Sequence, residues 1–280
     1  MNWLLEHKLP VGAYAEDVVD WLTANLTAVF DAITTGLDLF IGAVLFALER
    51  PHPLAVVAFF CAVSWISRRS VPLVLFTLAG LLLIINLGFW RETTQTLALV
   101  LSATAVSMAI GIPIGVAAAR REWFHAVLRP VLDLMQTIPT FVYLIPALIL
   151  FGLGVVPGLV ATVIFAVPAP IRLTRLGIVS TPAQLVEAGE AFGATSMQRL
   201  FKVELPYALP QIMAGLTQTI MLSLSMVVIA ALVGAPGLGV PVLRALNSVN
   251  VAKGFEAGLA IVILAIVLDR LFPVAEGRRR

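Results

Sequence analysis

Five charged side chains in one polar stretch have the types and spacing for ion pairing, with one another or with a partner protein. The stretch, STPAQLVEAGEAFGATSMQRLFKVELP, covers residues 180–206, and long apolar runs flank it on both sides. Its charged members are Glu187, Glu190, Arg199, Lys202 and Glu204. Carboxylates and guanidinium groups form charge-assisted hydrogen bonds where they meet. These residues therefore favour contact chemistry over catalysis.

The other reactive residue types show no catalytic or metal-binding arrangement. The histidines His7, His52 and His125 are scattered and lack metal-ligand spacing. Ser223 and Ser225 have no base close in sequence. The sequence contains no Gly-x-x-x-x-Gly-Lys-Ser/Thr, the loop that cradles the phosphates of ATP. We predict that this chain is not an enzyme and holds no cofactor or metal of its own.

Capping residues predict a first short helix in the stretch 180–206. Thr181 precedes Pro182 and is followed three residues later by Gln184, which predicts a capping box with proline at the first helical position. We expect the helix to run to about Phe192. Gly193 then supplies a left-handed stop, since glycine adopts positive φ without a steric penalty.

A second capping pattern predicts another short helix directly afterwards. Thr195 and Gln198 repeat the capping spacing, so we expect a helix over 196–203 that Pro206 ends. Both helices carry apolar residues, namely Leu185, Val186, Ala188 and Ala191 in the first and Met197, Leu200 and Phe201 in the second. Two capped helices with apolar side chains predict a docking element for a soluble cytoplasmic partner.

The docking stretch resembles the "EAA" loop of bacterial ABC-importer permeases. The resemblance rests on Glu187, Ala188, Gly189, Gly193, Val203, Leu205 and Pro206, with Gly189 in place of the second alanine and Val203 in place of isoleucine. Three further segments, Leu132–Gly154, Leu222–Gly239 and Gly258–Leu271, resemble permeases of glycine betaine and choline importers. The resemblance covers roughly residues 53–271.

This resemblance implies a type I ABC-importer permease-like helical bundle and a set of partners. Such permeases form homodimers, bind two copies of a cytoplasmic ATPase that holds ATP and Mg, and receive a quaternary-ammonium solute from a periplasmic or extracellular binding protein. The stretch 180–206 would be the coupling loop. Its ATPase-coupling residues would be Glu187, Ala188, Gly189, Gly193, Leu205 and Pro206.

Aromatic side chains are the candidates for a solute path, because a trimethylammonium group is attracted to the faces of aromatic rings. We name Phe141, Tyr143, Phe151, Phe165 and Trp90 as the candidates. A path that must release its solute should bind it weakly, so we expect no tight aromatic cage in this chain.

The elements that position these residues must be membrane helices. The chain has 280 residues, of which 60% are hydrophobic and 12% charged, and its mean hydropathy is +1.01. Soluble domains are about 45–50% apolar and about 25% charged. We therefore predict an all-α integral membrane protein with seven spans, at about 53–67, 72–89, 94–119, 131–153, 157–178, 210–233 and 256–272. With a net charge of only +2, we expect lipid and no nucleic acid as a partner.

We predict that residues 1–52, which precede the spans, form a separate scaffold region. Its polar residues recur at helical steps on one face, namely Asp17, Asp20, Thr27, Asp31, Thr34 and Asp38. Acidic residues are costly inside a bilayer, so we predict an amphipathic helix on the membrane surface or against the outside of the bundle. A span over about 26–48 is the alternative. The permease domain then covers 53–272, and a basic cytoplasmic tail covers 273–280.

Basic residues set the expected orientation in a bacterial cytoplasmic (inner) membrane. With seven spans, five of the 18 Lys and Arg residues lie outside and 13 lie inside. The outer five are Lys8, Arg50, Arg91, Arg244 and Lys253. Because positive charge is enriched on the cytoplasmic side, the docking stretch is predicted to face the cytoplasm.

Two other function classes are open to this sequence. A secondary transporter would carry an ion-coupling acid in mid-membrane, whereas Asp133 and Asp269 fall near predicted span ends. A structural or signalling membrane protein would leave the doubly capped loop unexplained. Within the importer class, the solute could also be another methylamine or an amino acid.

Overall fold

The structure is a computed structural model that describes residues 10–272, and all regular elements in this range are helices. The N-terminal half comprises α1 (Val11–Glu49), α2 (Pro53–Arg68), α3 (Val71–Asn86), α4 (Trp90–Arg120), α5 (Glu122–Thr137) and α6 (Thr140–Phe151). The C-terminal half comprises α7 (Val155–Ala166), α8 (Pro168–Val179), α9 (Ala183–Ala191), α10 (Ser196–Arg199), a π turn (Leu200–Glu204), α11 (Leu205–Ser225), α12 (Val227–Ala231), α13 (Gly239–Asn247) and α14 (Val251–Leu271). The predicted basic tail, 273–280, lies outside the described residues.

Length and composition mark four stretches as candidate membrane spans, which agrees with the predicted all-α membrane fold. They are Gly12–Glu49, Trp90–Arg120, Val155–Val179 and Val251–Leu271. The predicted spans near residues 53 and 72 form helices of only 16 residues each, α2 and α3. At 1.5 Å per residue each is about 24 Å long, which is shorter than the roughly 30 Å hydrocarbon core.

The predicted span over 131–153 is bent and not one continuous helix, so this pair of helices is either one broken span or a re-entrant loop. Helices α5 and α6 meet at 96° across a break at Ile138 and Pro139. Ile138 adopts an extended ψ of 131°, the conformation that a following proline favours. Proline also lacks the N–H that would continue the helix, so the chain turns at this point.

One predicted span is confirmed as a continuous stretch, and one helix was not predicted. The predicted span 157–178 corresponds to α7 and α8, which together form the candidate span Val155–Val179 with helical backbone angles at Val167. The stretch 210–233 comprises α11 and α12, which meet at Met226, also with helical backbone angles. Helix α13 lies in the segment between the last two predicted spans. It is nine residues long, too short for a pattern based on membrane-span length to detect.

Glycines allow α4, α8 and α11 to approach one another closely in the centre of the bundle. A Cβ on Gly111 would lie 2.6 Å from Cγ of Pro170, and one on Gly115 would lie 2.7 Å from the carbonyl oxygen of Ile171. A Cβ on Gly177 of α8 would lie 2.8 Å from Cβ of Ala208 in α11. Small residues allow membrane helices to approach backbone to backbone. These three helices therefore form the tightly packed centre that carries the polar loop.

The N-terminal helix α1 packs against α4 and α6. It kinks at Leu26, and the buried Ile41 packs with Ala98 and Leu99 of α4. At its other points of contact, Phe30 meets Phe151 edge to face at 5.4 Å, and Glu49 accepts a hydrogen bond from Thr94 at 3.4 Å. The contacts with Ala98, Leu99 and Thr94 lie toward the Trp90 end of α4, and Phe151 is the last residue of α6. Placement of α1 on the membrane surface stays a prediction, because its length and composition also permit a span.

Candidate coupling loop and solute path

The second capping box of the polar loop is confirmed. The Thr195 hydroxyl oxygen accepts a hydrogen bond from the Gln198 N–H at 3.3 Å, and the Gln198 side-chain oxygen accepts one from the Thr195 N–H at 2.8 Å. Gly193, two residues before Thr195, has a φ of +73°, so the predicted left-handed turn is also confirmed. The loop thus has a fixed turn and a fixed helix start.

The first predicted cap, at Thr181, is wrong. Helix α9 begins at Ala183, and its N-cap is Pro182 with an extended ψ of 133° and no side-chain cap. The Thr181 N–H donates to the carbonyl oxygen of Ile178 at 3.1 Å, so Thr181 still belongs to the end of α8. The chain turns one residue later than the capping pattern indicates, and the Thr181 hydroxyl has no hydrogen-bond partner among residues 10–272.

The prediction that Pro206 ends the second helix is also wrong. The chain continues from α10 through the π turn into α11 without a break. In the π turn, the Leu205 N–H donates to the carbonyl oxygen of Leu200, five residues earlier. A proline ring clashes with the carbonyl four residues before it in a regular α-helix, and the wider turn accommodates the ring. Pro206 therefore marks the start of α11, and the loop is continuous with the bundle.

A buried carboxylate ties the loop to the central helix α4. Glu204, whose side chain is 7% exposed, accepts hydrogen bonds from Arg199 at 2.8 Å and from Arg120 at 3.1 Å. Arg120, the last residue of α4, also donates to the carbonyl oxygen of Ser196 at 3.0 Å. Arg199 forms a further ion pair with Glu190 of α9. We call Glu190, Arg199, Glu204 and Arg120 the coupling network, since they connect both loop helices to α4.

The predicted coupling residues occupy two different settings. Glu187 and Ala188 are exposed on α9, and Glu187 has no ion-pair partner in the described part of the chain. Gly189 lies where a Cβ would be 3.9 Å from Val203, so α9 rests on the π turn there. Leu205 packs against Ile178 and Ala208, whereas Pro206 is exposed. The loop therefore has an anchored side and a free side that carries Glu187.

The free side of the loop is apolar as well as charged. Phe192 at the turn is 93% exposed, and Met197 and Phe201 are 61% and 60% exposed. Large exposed apolar patches mark interaction sites, so these three side chains are candidates for a protein contact. The sequence predicted Met197 and Phe201 as part of this face but did not single out Phe192. Arg120 was also missed as a loop contact, because 84 residues separate it from Glu204.

If the loop binds the ATPase that the resemblance implies, Gly193→Val should weaken that association while leaving membrane insertion intact. No atom lies within 4 Å of the position of a Cβ at Gly193, so the penalty comes from the backbone. A left-handed conformation costs a residue with a Cβ about 1–2 kcal/mol, and β-branching adds to that cost. Co-purification of the ATPase with the permease measures the effect. Gly189→Ala is the matched control and should bind normally, because Gly189 is helical and alanine is the residue that the family pattern carries at this position. Equal binding by both variants would contradict this role of the turn.

The five candidate path aromatics do not converge on one site. Tyr143 and Phe165 share an apolar cluster with Leu144 and Met226. Phe151 lies against Phe30, beside a cavity of about 320 Å³ that Asp31 also lines. Trp90 packs on a separate core cluster, and Phe141 is 56% exposed. The Tyr143 hydroxyl donates to the carbonyl oxygen of Met135 at 3.0 Å, which braces the bend between α5 and α6. A solute-path role for these residues stays a prediction.

Comparison with known proteins identifies relatives over nearly the whole chain. The chain is 50% identical over 265 residues to the glycine betaine transport system permease protein of Bacillus subtilis (strain 168), covering 94% of this chain and 93% of that protein. It is 45% identical over 266 residues to the glycine betaine/carnitine transport permease protein of Listeria monocytogenes, covering 94% of each. It is 44% identical over 264 residues to the glycine betaine/proline betaine transport system permease protein of Escherichia coli (strain K12), covering 94% of this chain and 74% of that one.

A solved structure and a family model agree with these relatives. The fold matches the inward-facing MetNI methionine ABC transporter with a TM-score of 0.59 at 24% identity, over 64% of this chain and 90% of that one. Residues 111–280 match the model of the binding-protein-dependent transport system inner membrane component. The chain therefore belongs to that family, as a non-catalytic, multi-pass permease subunit of an ABC importer in the cytoplasmic membrane.

Proposed function

We propose that this permease carries a quaternary-ammonium compound, glycine betaine or choline, in an importer driven by a partner ATPase. The three relatives described above are named for glycine betaine, and two of them also for carnitine or proline betaine. These solutes share a fully substituted, positively charged nitrogen. Family membership also removes the alternative of a secondary transporter, because the family's members are components of binding-protein-dependent systems.

We infer that the loop 180–206 is the part that couples ATP hydrolysis to transport. The observation that carries this proposal is the contrast between its two sides. One side is fixed to α4 by the buried carboxylate of Glu204, and the other exposes Glu187 and Phe192. A loop fixed in this way transmits a displacement to the bundle, whereas a flexible loop would absorb it.

The proposed assembly contains two permease chains, two ATPase subunits and a binding protein. ATP and Mg are held by the ATPase subunits, and the binding protein delivers the solute to the opposite side of the membrane. When the ATPase pair closes, the two coupling loops move together, and the bundles change from inward-open to outward-open.

The test is ATP hydrolysis by the complex reconstituted in proteoliposomes with its binding protein. We expect stimulation by glycine betaine or choline, with proline betaine as a third methylated compound. Glycine is the matched control because it has the carboxylate of glycine betaine but none of the methyl groups. Stimulation by glycine and not by any methylated compound would overturn the proposed solute class. Uptake that proceeds without ATP would overturn the proposed energy source.

A further inference from the structure

The two ends of α4 mark the two sides of the bundle. Arg120, the last residue of α4, contacts the coupling loop, whereas Arg91 and Glu92 at the opposite end line a cavity of about 700 Å³. Lys253 and Glu256, in the first turns of α14, line the same cavity. Since α14 has 21 residues and is about 30 Å long, its last turn lies toward the side of the coupling loop.

Arginines gather where the C-terminal ends of α2 and α14 meet on that side. The Arg68 Nε–H donates to the carbonyl oxygen of Arg270 at 3.1 Å, and the Ser67 hydroxyl donates to that of Leu271 at 2.9 Å. Arg69 follows Arg68 directly. We call Arg68, Arg69 and Arg270 the arginine cluster. Two chain segments that are 202 residues apart in sequence thus bring their cations to one place.

The charge of the arginine cluster is not balanced within residues 10–272. Arg68 and Arg69 form no ion pair there, and Arg270 pairs only with its neighbour Asp269, at 3.7 Å. The C-terminal ends of helices stabilise nearby cations, but they supply only partial negative charge. The bond to Arg270 uses the Nε atom of Arg68 and leaves both Nη groups of its guanidinium as donors. The cluster therefore has the charge and the donors to bind an anion.

The backbone at Arg69 is a second, independent indication that its side chain has a role. Arg69 ends α2 with a φ of +47°, a left-handed conformation that is unfavourable for a residue with a Cβ. Glycine is the usual residue at such a helix end, because it adopts this conformation without a steric penalty. Local strain of this kind points to a function of the residue that bears it.

Exposed apolar side chains on both sides of the arginine cluster indicate what surrounds it. Trp65 and Ile66 in the last turn of α2, and Val71 and Leu75 in the first turns of α3, are each about half exposed or more. In a membrane protein such side chains face the acyl chains, and tryptophan is enriched at the boundary between acyl chains and headgroups. The cluster therefore lies at the level of the lipid headgroups on the side of the coupling loop.

We propose that the arginine cluster binds the headgroup of an anionic phospholipid in the cytoplasmic leaflet. A guanidinium group donates two parallel hydrogen bonds to phosphate oxygens, and basic residues between membrane helices on the cytoplasmic side suit anionic headgroups. A soluble protein suits this place less well, because the exposed apolar side chains beside the cluster belong to membrane helices. A bound headgroup would join the end of α2 to the end of α14, in addition to the two hydrogen bonds that connect them.

The test uses the complete complex in mixed liposomes in which either phosphatidylglycerol or phosphatidylcholine carries brominated acyl chains. Bromine quenches the fluorescence of a tryptophan that the lipid contacts, and the difference between the unmodified protein and Trp65→Phe isolates the signal of Trp65. Both lipids contain a phosphodiester, but only phosphatidylglycerol has a net charge. We expect phosphatidylglycerol to be preferred about tenfold or more at Trp65, since each basic residue near the surface contributes about fivefold.

Arg69→Gly separates lipid binding from stability, because glycine relieves the strained backbone. It should lower the preference for phosphatidylglycerol about fivefold, while the midpoint of thermal unfolding in detergent without added lipid stays the same or rises. Arg68→Gln combined with Arg69→Gln should abolish the preference. Arg129→Gln is the matched control, because it removes an exposed arginine of α5 on the same predicted side, and it should keep the preference.

Four results would overturn this inference. One is an undiminished preference for phosphatidylglycerol in Arg69→Gly, and another is an equal loss of preference in Arg129→Gln, which would make the effect one of general surface charge. Displacement of the brominated lipid by soluble glycerol phosphate would make the cluster a site for free phosphate compounds. Loss of the ATPase from the double variant would make it a protein contact. None of these measurements requires transport, so they stand apart from the test of the proposed function.

Discussion

Glu204→Gln is expected to uncouple transport from ATP hydrolysis, with uptake reduced about tenfold or more. The substitution keeps the size of the side chain but removes the negative charge that pairs with Arg199 at 2.8 Å and with Arg120 at 3.1 Å. Hydrogen bonds to a charged group contribute about 1.5–3 kcal/mol each to the attachment of the loop. Because both arginine side chains are about a quarter exposed, water compensates part of this loss. Parallel assays of solute uptake and ATP hydrolysis measure the effect.

Glu190→Gln is the matched control for this prediction. Glu190 also pairs with Arg199, but its side chain is 55% exposed, and exposed ion pairs contribute only about 0–1 kcal/mol. We expect its uptake to stay within about twofold of the unmodified protein. Arg120→Gln combined with Glu204→Gln should cost less than the sum of the two single changes, because the residues are direct partners. Full uptake by Glu204→Gln would show that the network does not carry the coupling.

Glu187→Ala is expected to release the ATPase and lower maximal transport, while the solute concentration for half-maximal uptake stays the same. Glu187 is exposed on α9 and has no ion-pair partner within residues 10–272, so its carboxylate is available to a basic residue of the ATPase. Loss of one partner of a desolvated charge pair costs about 2–5 kcal/mol in an interface. Uptake assays and pull-down of the ATPase measure the two effects.

Gln184→Ala, an exposed neutral side chain on the same helix, is the control for Glu187→Ala. It should leave both transport and ATPase binding unchanged. Replacement of Tyr143 tests the solute path separately, because a path residue should change transport without releasing the ATPase. If Glu187→Ala keeps full transport and full ATPase binding, this carboxylate is an ordinary surface charge.

Local signals were enough to predict part of the coupling loop. The Thr195–Gln198 capping box and the Gly193 turn are encoded within a few residues, and both are present in the structure. The Thr181 cap failed because its backbone N–H is bonded to the end of α8, which a capping pattern does not reveal. No local pattern predicts that a π turn precedes Pro206 and leaves the helix continuous.

Features that depend on distant contacts could not be predicted. The burial of Glu204 requires Arg120, which lies on another helix. The cavity opposite the loop joins residues from α4, α13 and α14, and α13 itself was not predicted. The bend at Pro139 was hidden because the apolar run continues through it, and apolar composition alone cannot distinguish one span from two angled helices.

The close contacts of Gly111 and Gly115 with α8 divide α4 into a short segment and a long segment. These glycines lie about 10 Å from the Arg120 end, where the coupling loop is attached, and about 33 Å from the Arg91 end, which lines the cavity. If α4 tilts about these contacts, a shift of about 1 Å at its Arg120 end becomes a shift of about 3 Å at its Arg91 end. Because the Leu238 N–H is bonded to the Thr96 hydroxyl oxygen near that end, the loop before α13 would move together with α4.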